Sequence, residues 1–565
     1  MTIPSIQDRS RFETTKRLLA QLVNEGFAVG SLINRQIILH GKKGSKELWI
    51  RINIHHDTLL NTDGTRVYPI LRPESLQPPV ILGKRDSETE ELEPAAVFRF
   101  VSPWFTSFAD EECLAKMADQ LQSTAKMQAK WLEISLSQPI LCLDSPLIAW
   151  ERSIVYGHQT HPFHRSCWSI PPLKPVLPEH IPDMITPSIS FVAVPREDMR
   201  VTGPFETILK PILIRLGLSE QEDENSLIVP CLTRQIPAIL RYFPDAVVIA
   251  ETRYIADSQV SLRTVTLRPE LGFNYHLKLA LACQITSAVR TVTPWTTGQG
   301  RAISELLEKV LPGNLWVFKE VAAVTGSQED FMAAKHLSCV LREDLEPRAK
   351  ANDESLIVAA ALMERHPLDE KTYPERLFQL NSVEEKKAWF RSYINALFTA
   401  MLHPIVHHGI ALEAHAQNTV VRLCRSTGKI AGFAIRDFGG VKFHKPTLRD
   451  QGYNVDWEIP GSLTLSNDLH SVWNLASHTL LQCHVPGLLY AFRLENHGGW
   501  EVVRDELEGV LGGFGRRVGR ELFEYLCSET VVMKSFLRML MEGMYRENVE
   551  LTVPNPLAWL QHRNL

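Results

Sequence analysis

The sequence has no C-x-x-C pair, and its nine cysteines, at positions 113, 142, 167, 231, 283, 339, 424, 483 and 527, are odd in number and far apart. That spacing excludes a dense disulfide framework and reads as reduced thiols in a cytosolic protein. Long hydrophobic runs are missing as well. The first residues, MTIPSIQDRSRFETTKRLLAQLV, form only short amphipathic stretches without a signal-peptide core, and no later run reaches the length of a bilayer span. The expectation is a cytoplasmic chain with no membrane partner. Neither sign of charge dominates: 60 basic and 65 acidic residues are scattered throughout and leave a net charge of −5, so no global basic field draws the protein to nucleic acid. Repeats and low-complexity tracts are absent too.

What the chain does have is length. Its 565 residues, 44% of them hydrophobic, exceed one compact core and suggest about three or four domain-sized units. Helical patterns run from Phe12 to Val23 and from Glu111 to Leu132, and a strand pattern runs from Leu48 to Ile54. Asp86 to Pro94 is acidic and reads as a solvated loop. Six prolines between Pro171 and Ser188 argue against any regular element there and place a boundary near residue 155. Ile189–Val194, Ala246–Ala250 and Val260–Leu267 alternate as antiparallel strands do, around a helix-like stretch from Tyr275 to Val292. After residue 330 helices dominate. Ser382-Val383-Glu384-Glu385 is a capping box, followed by one apolar stripe of Trp389, Phe390, Tyr393, Ile394, Leu397 and Phe398. The fold class is α+β.

The most informative stretch runs from His408 through Glu413, His415, Gln417 and Asn418 into a strand, a Ser426-Thr427-Gly428-Lys429 turn, and a second strand ending at Asp437. If Thr427 and Gly428 form a two-residue loop, antiparallel pairing sets Asn418 opposite Asp437. Such oxygen ligands, with Glu413 close by, suit Mg²⁺ shared with nucleotide phosphates. A second group, Ser261, Arg263, Lys278, Thr286, Ser287 and Arg290, offers the charge-assisted donors that a triphosphate requires, with Thr286 and Arg290 one turn apart if the segment is helical. Gly157-His158-Gln159-Thr160-His161-Pro162-Phe163-His164-Arg165 is a third. Its three histidines lack the acid or cysteine companions of a closed zinc site, and His403, His407 and His408 raise the same question.

Together these stretches resemble the aerobactin-synthetase-like family of siderophore synthetases, which work independently of nonribosomal peptide synthetases. Gly157, His158, His161 and Pro162 match its G-H-P-x-H-P motif. Ser261, Arg263, Lys278, Thr286, Ser287 and Arg290 match its nucleotide region, and His408 to Asn418 with Asp437 match H-G-[IV]-x-x-E-x-H-x-Q-N and R-D-x-x-G.

The resemblance implies a cupped hand: a thumb over residues 1–155, fingers with antiparallel sheet over 156–330, and a mostly helical palm with a β-hairpin over 331–565. It implies ATP and Mg²⁺, adenylation of a carboxylic acid such as citrate, and condensation with an amine or alcohol, releasing AMP and pyrophosphate; a homodimer is left open. Ser261, Arg263, Lys278, Thr286, Ser287, Arg290 and Gln417 would contact ATP. Glu413, Asn418 and Asp437 would hold the metal. His158, His161, Arg165 and His415 would face the acid, and His415, Arg290 and Lys534, the last resembling a late family lysine, would serve catalysis.

Gln159, Arg165 and Cys167 depart from the family's Pro, Lys and Arg. Either Arg152 or Arg196 replaces the missing cation, or the acid differs from citrate. Two alternatives remain: a kinase-like phosphotransferase, although His415-Ala416-Gln417-Asn418 lacks an H-x-D aspartate, and a non-catalytic binding protein on the same fold.

Overall fold

The computed structural model describes residues 5–559 apart from 43–46, 57, 59–69, 86, 106, 219–223, 287, 367–368 and 544–548. The chain starts on a helix, Ile6–Asn24, capped by the Ser5 hydroxyl, which accepts from the Asp8 N–H at 3.0 Å. A five-stranded antiparallel meander follows in sequence order: Ala28–Ile33, Gln36–Gly41, Leu48–Ile54, Leu76–Lys84 and Ser87–Glu90. The helix Glu111–Ser135 closes over the first helix, burying Leu18, Leu22, Leu39, Ile50, Ile52, Phe98 and Leu121 in one core. Leu537, Leu540 and Met541, from the far end of the chain, complete that core. The acidic stretch read as a loop contains the edge strand Ser87–Glu90, whose four side chains are all exposed. Pairing with Leu76–Lys84 satisfies one side of its backbone, and Glu88 meets Arg51 at 2.7 Å.

A second core lies between a three-stranded sheet, ordered Val247–Thr252, Ile189–Pro195, Ser226–Leu232, and a six-stranded antiparallel sheet. The six-stranded sheet contains Thr264–Leu267, Tyr275–Leu279, Ser338–Glu343 and Glu320–Gly326. The helix expected from Tyr275 to Val292 is therefore wrong. Tyr275–Leu279 is a strand, and Cys283–Ile285 pairs with Ala288–Val289 as a tight hairpin with Thr286 at φ +57°. Leu277 and Leu279 face one layer while His276 and Lys278 face the other, and both sides are buried. In the proline-rich stretch a short helix, Ile181–Ile185, forms because Pro182 falls in its first turn, where no N–H is missed.

The third core surrounds the helix Val383–His408. Its start is the expected capping box: the Ser382 hydroxyl accepts from the Glu385 N–H, and the Glu385 carboxylate accepts from the Ser382 N–H at 2.8 Å. Phe390, Tyr393, Ile394, Leu397 and Phe398 are fully buried. Gly409, at φ +65°, ends the helix, and a Cβ there would meet His444. A four-stranded sheet, ordered Leu315–Val317, Ile430–Ile435, Thr419–Cys424, Glu354–Val358, packs in the same core. Among the described residues no helix is long and apolar enough to cross a membrane.

Candidate active site

The hairpin that carries Asn418 and Asp437 has a different register from the expected one. Its loop holds four residues, not two, closed by the Cys424 N–H to the Lys429 carbonyl at 2.9 Å. A bulge then shifts the pairing, so that Arg422 faces Gly432 and Thr419 faces Ile435. Asn418 thus lies opposite Arg436, whose N–H reaches the Asn418 carbonyl at 3.2 Å, and Asp437 stands one residue beyond the ladder at φ +67°. Gly432 explains the shift. Its φ of +152° brings the chain against the Asn314 carbonyl, where a Cβ would sit at 2.1 Å, and lets Leu315–Val317 join in parallel.

Glu413, His415 and Gln417 are half-buried on the side away from the buried Ala414, Ala416 and Asn418. Burial, with the neighbouring Asp437 carboxylate, pushes Glu413 up to about 7, against the pull of Lys534, Lys278 and Arg290. A Cβ on Gly440 would lie 2.5 Å from the Glu413 carboxylate, so the glycine after Asp437-Phe438-Gly439 gives Glu413 its place. The Asn418 amide donates to the Glu413 carbonyl at 3.3 Å, which leaves its oxygen as a donor atom. Among the described residues no group of three or more His, Cys, Asp and Glu side chains is arranged to hold a metal ion. Two crowded carboxylates beside an amide oxygen nevertheless fit a hard divalent cation whose remaining ligands come from phosphates and water.

Opposite them lies the cationic wall. Lys278 Nζ, 1% exposed, sits 2.8 Å from Asp437 Oδ1 and 3.2 Å from Glu320 Oε1. Arg263 lies 3.9 Å from Asp437 Oδ2 and donates to the Thr291 carbonyl at 2.6 Å. Burial raises Asp437, but Lys278 and Arg263 outweigh it and hold the carboxyl well below the usual carboxylate range. Arg290 is half-buried in the field of Arg263, Asp437 and Glu413, and the Nε atoms of Arg263 and Arg290 are buried without a hydrogen-bond partner. Unsatisfied guanidinium donors converging on one space are what an anionic ligand satisfies. Ser261 stabilises the turn that presents Arg263, accepting from the Thr264 N–H at 3.4 Å. Thr286 donates its N–H to Ser166 at 3.2 Å, and the Gln417 carbonyl accepts from Arg436 at 2.8 Å. Ser287 lies outside the described residues.

The histidine motif reaches the same space. His158 Nδ1 accepts the N–H groups of Thr160 and His161 at 3.3 and 3.2 Å, and His161 Nδ1 accepts that of Phe163 at 3.0 Å. Burial keeps both rings neutral, with His161 lowered to about 3, so each carries its proton on Nε2 as a donor suited to a carboxylate. His415 is lowered to about 4, first by burial, and lies in the field of Asp437, Arg290 and Lys534.

Arg165 does not join this group. Its Nε donates to the Val155 carbonyl at 2.7 Å, another nitrogen meets the Ile154 carbonyl, and the guanidinium stacks on Trp131. Arg152 pairs with Asp257, and the exposed Arg196 pairs with Glu206, so neither replaces a missing cation. Cys167 is buried in the second core against Cys283. His164 is tied to Tyr156 and Thr14.

Several residues at this site carried no legible motif. Glu320 shares Lys278, and Phe536 packs its ring on His161 at 4.4 Å. Ser477–His484 winds as a π-helix that brings His478 into the field of Lys534 and His415, and lets His484 bridge Tyr393 and the Ala414 carbonyl. Arg436, between Glu151 and Gln417, pins the hairpin base; its place just before Asp437 was the one available signal.

Buried and half-buried cations, paired carboxylates and neutral imidazoles thus share one space on a mixed α+β frame. Comparison with known proteins gives the family. Residues 245–364 match the IucA / IucC family, and residues 387–548 match the ferric iron reductase FhuF-like transporter family. The NRPS-independent siderophore synthetase-like protein ankE of Aspergillus thermomutatus is 39% identical over 97% of this chain and 93% of its own length. The NRPS-independent siderophore synthetase rfs of Rhizopus delemar is 33% identical over 75% of this chain and 68% of its own. In fold, the petrobactin biosynthesis protein AsbB of Bacillus anthracis superposes with TM-score 0.78 at 16% identity, covering 99% of this chain and 97% of its own. An ATP-bound aerobactin synthetase IucA of Klebsiella pneumoniae gives 0.74 at 13% identity, covering 96% and 99%. The chain belongs to the family of NRPS-independent siderophore synthetases.

Proposed function

We propose that this protein adenylates a carboxylic acid, citrate or a related polycarboxylate, with ATP and condenses it with an amine or alcohol, releasing AMP and pyrophosphate. The observation that carries the reading is the convergence of Lys278, Arg263 and Arg290 on the space bounded by Glu413 and Asp437, with the His158 and His161 donors at its edge. Relatives named D-ornithine–citrate ligase and L-2,3-diaminopropanoate–citrate ligase, both of Staphylococcus aureus, support citrate as the acid, and the ATP-bound neighbour supports ATP. In this reading the chain forms a cupped hand of thumb, fingers and palm, expected at 1–155, 156–330 and 331–565, although the cores cross those bounds: Leu147 and Trp150 pack in the third core with Leu315 and Trp316, and Leu337 and Leu341 pack in the second.

The residues divide the work. A carboxylate approaching the α-phosphorus brings two anions together, and Arg263, Lys278, Arg290 and Lys534 offset that repulsion. Ser261, Thr286, Ser287 and Gln417 complete the nucleotide contacts. Glu413, Asn418 and Asp437 would hold Mg²⁺, which when bound neutralises phosphate charge. His158 and His161 orient the acid through their Nε2–H groups. The neutral ring of His415 accepts the proton that the amine or hydroxyl loses as the amide or ester forms.

The test is incubation with ATP, MgCl₂, hydroxylamine and a panel of di- and tricarboxylic acids. Hydroxamate, AMP and pyrophosphate in equal amounts are expected; ADP with a phosphorylated acceptor would replace this reading by a kinase.

A further inference from the structure

The stretch that carries His158 and His161 has turns and bends but no helix or strand. No ladder of its own holds it, so its anchors must come from elsewhere. They stand on the first helix, Ile6–Asn24. Thr14, Arg17, Gln21 and Glu25, the last just past the helix end, recur at intervals of three, four and four residues and so share one face. All four are 4% exposed or less. Polar side chains on a buried helix face are costly unless each finds a partner. Three of the four find theirs on the histidine loop: Thr14 Oγ1 lies 3.2 Å from His164 Nε2, Arg17 Nε donates to the His158 carbonyl at 3.1 Å, and the Gln21 amide donates to the Thr160 carbonyl at 3.1 Å.

Glu25 reaches a different segment with the same destination. Its carboxylate accepts the N–H groups of Leu537 at 3.0 Å and Arg538 at 3.1 Å. Both belong to the short helix Phe536–Met541, whose own N-cap residue, Ser535, makes no side-chain capping bond. Phe536, at the head of that helix, packs its ring on His161 at 4.4 Å and meets His158 edge-on at 5.5 Å between centroids. One helix face thus ties down both the backbone of the two imidazoles and the aromatic ring that packs on them. The ties bear on ring direction, because the Thr160 and His161 N–H groups hold His158 Nδ1. A shift of the anchored carbonyls carries those N–H groups with it and turns the imidazole.

We propose that Arg17, Gln21 and Glu25 are positioning residues for binding of the acid: they set where the Nε2–H groups of His158 and His161 point. The acid as the ligand of those rings rests on the ligase reading; the anchoring of the loop does not.

Amide hydrogen exchange and hydroxamate kinetics, with the acid that wild type uses best, are measured on wild type, Gln21→Met, Phe536→Leu and Thr15→Val. Gln21→Met keeps the shape and removes the donor to Thr160. Thr15→Val, on the same helix, removes a bond to the Leu92 carbonyl and stands for a general loss of stability. Gln21→Met should speed exchange of the Thr160 and His161 amides several-fold and raise KM for the acid about 5- to 10-fold, as for one hydrogen bond, with KM for ATP within twofold of wild type. Phe536→Leu should raise the acid KM likewise, and it carries the test if Gln21→Met does not fold. Thr15→Val should lower the melting temperature without moving the ratio of the two KM values. Unchanged exchange across residues 157–165 in Gln21→Met, a KM for ATP that rises in step with that for the acid, or a Thr15→Val variant that reproduces the split overturns the proposal. If wild type forms no hydroxamate with any acid, the ligase reading fails alone, and the exchange of Gln21→Met against Thr15→Val still decides the anchoring.

Discussion

Replacing Lys278 by Met tests the charge balance on which the site is built. Lys278 is the shared partner of Glu320, 2% exposed, and Asp437. Removing it leaves a buried carboxylate with no cation in contact, and breaking such a pair costs about 3–5 kcal/mol, more than the pair itself contributes. The double variant Lys278→Met/Glu320→Gln removes the stranded charge as well, and should recover about 1–3 kcal/mol of that loss. The sign of the pH dependence follows from Asp437, whose carboxyl is held low in the folded protein. Its contribution is present above the unfolded carboxylate value near 4 and is lost as pH falls through the depressed folded value. The deficit of Lys278→Met relative to wild type is therefore full above about pH 4 and narrows only below it, as pH falls towards the depressed folded value. With three cores, unfolding need not be two-state, so urea midpoints rather than extrapolated free energies are compared. A single variant with the wild-type midpoint, or a double variant no better than the single, refutes the reasoning. Both variants should lack adenylation, which separates rescue of stability from rescue of function.

Glu413→Gln removes a carboxyl raised to about 7 by burial and Asp437. In chelator-treated protein it should stabilise by about 2–3 kcal/mol above pH 7, with no gain below about pH 4.5, because a raised carboxyl penalises the folded state only where it is ionised; thermal melts across that range that move in parallel contradict it. Gly440→Ala should leave the melting temperature within a few degrees but lower kcat at least tenfold, since the new Cβ displaces the Glu413 carboxylate; full activity would show that Glu413 needs no fixed position. Cys167→Arg, which would restore the arginine from which this chain departs, should destabilise by about 3–5 kcal/mol, because it buries a cation in a packed core near Arg234 and Arg290; a normal melt with better citrate turnover would refute this placement.

Local chemistry was legible wherever it was decisive on its own. The Ser382 capping box and its apolar stripe gave the longest helix, and the alternation of Leu48–Ile54 gave a strand with its observed ends. The family-like motifs also pointed to groups that share one electrostatic space: Lys278, Arg263, Arg290, Glu413, His415 and Asp437. What failed was decided by distant partners. The hairpin register turns on a bulge at Gly432, which exists because Leu315–Val317 pairs from more than a hundred residues away. Lys278 falls on a helix only if the stretch from Tyr275 to Val292 is one element, whereas the fold divides it into a strand and a tight hairpin. Arg165 matched a cation in a motif, but its direction is set by the Val155 and Ile154 carbonyls and by Trp131, none of which a motif encodes.

The return of the chain's end to its beginning sets a timetable for synthesis. Glu25, buried in the first helix region, accepts the N–H groups of Leu537 at 3.0 Å and Arg538 at 3.1 Å, and Leu537, Leu540 and Met541 fill a core otherwise built mainly before residue 122. A ribosome would expose that unfinished core for roughly 20 to 80 s before its last residues arrive. Lys534 precedes those residues directly, so the cation whose field reaches Glu413 and His415 arrives on the same segment that seals this core. A chain cut before that segment therefore presents an open apolar surface and lacks that cation together.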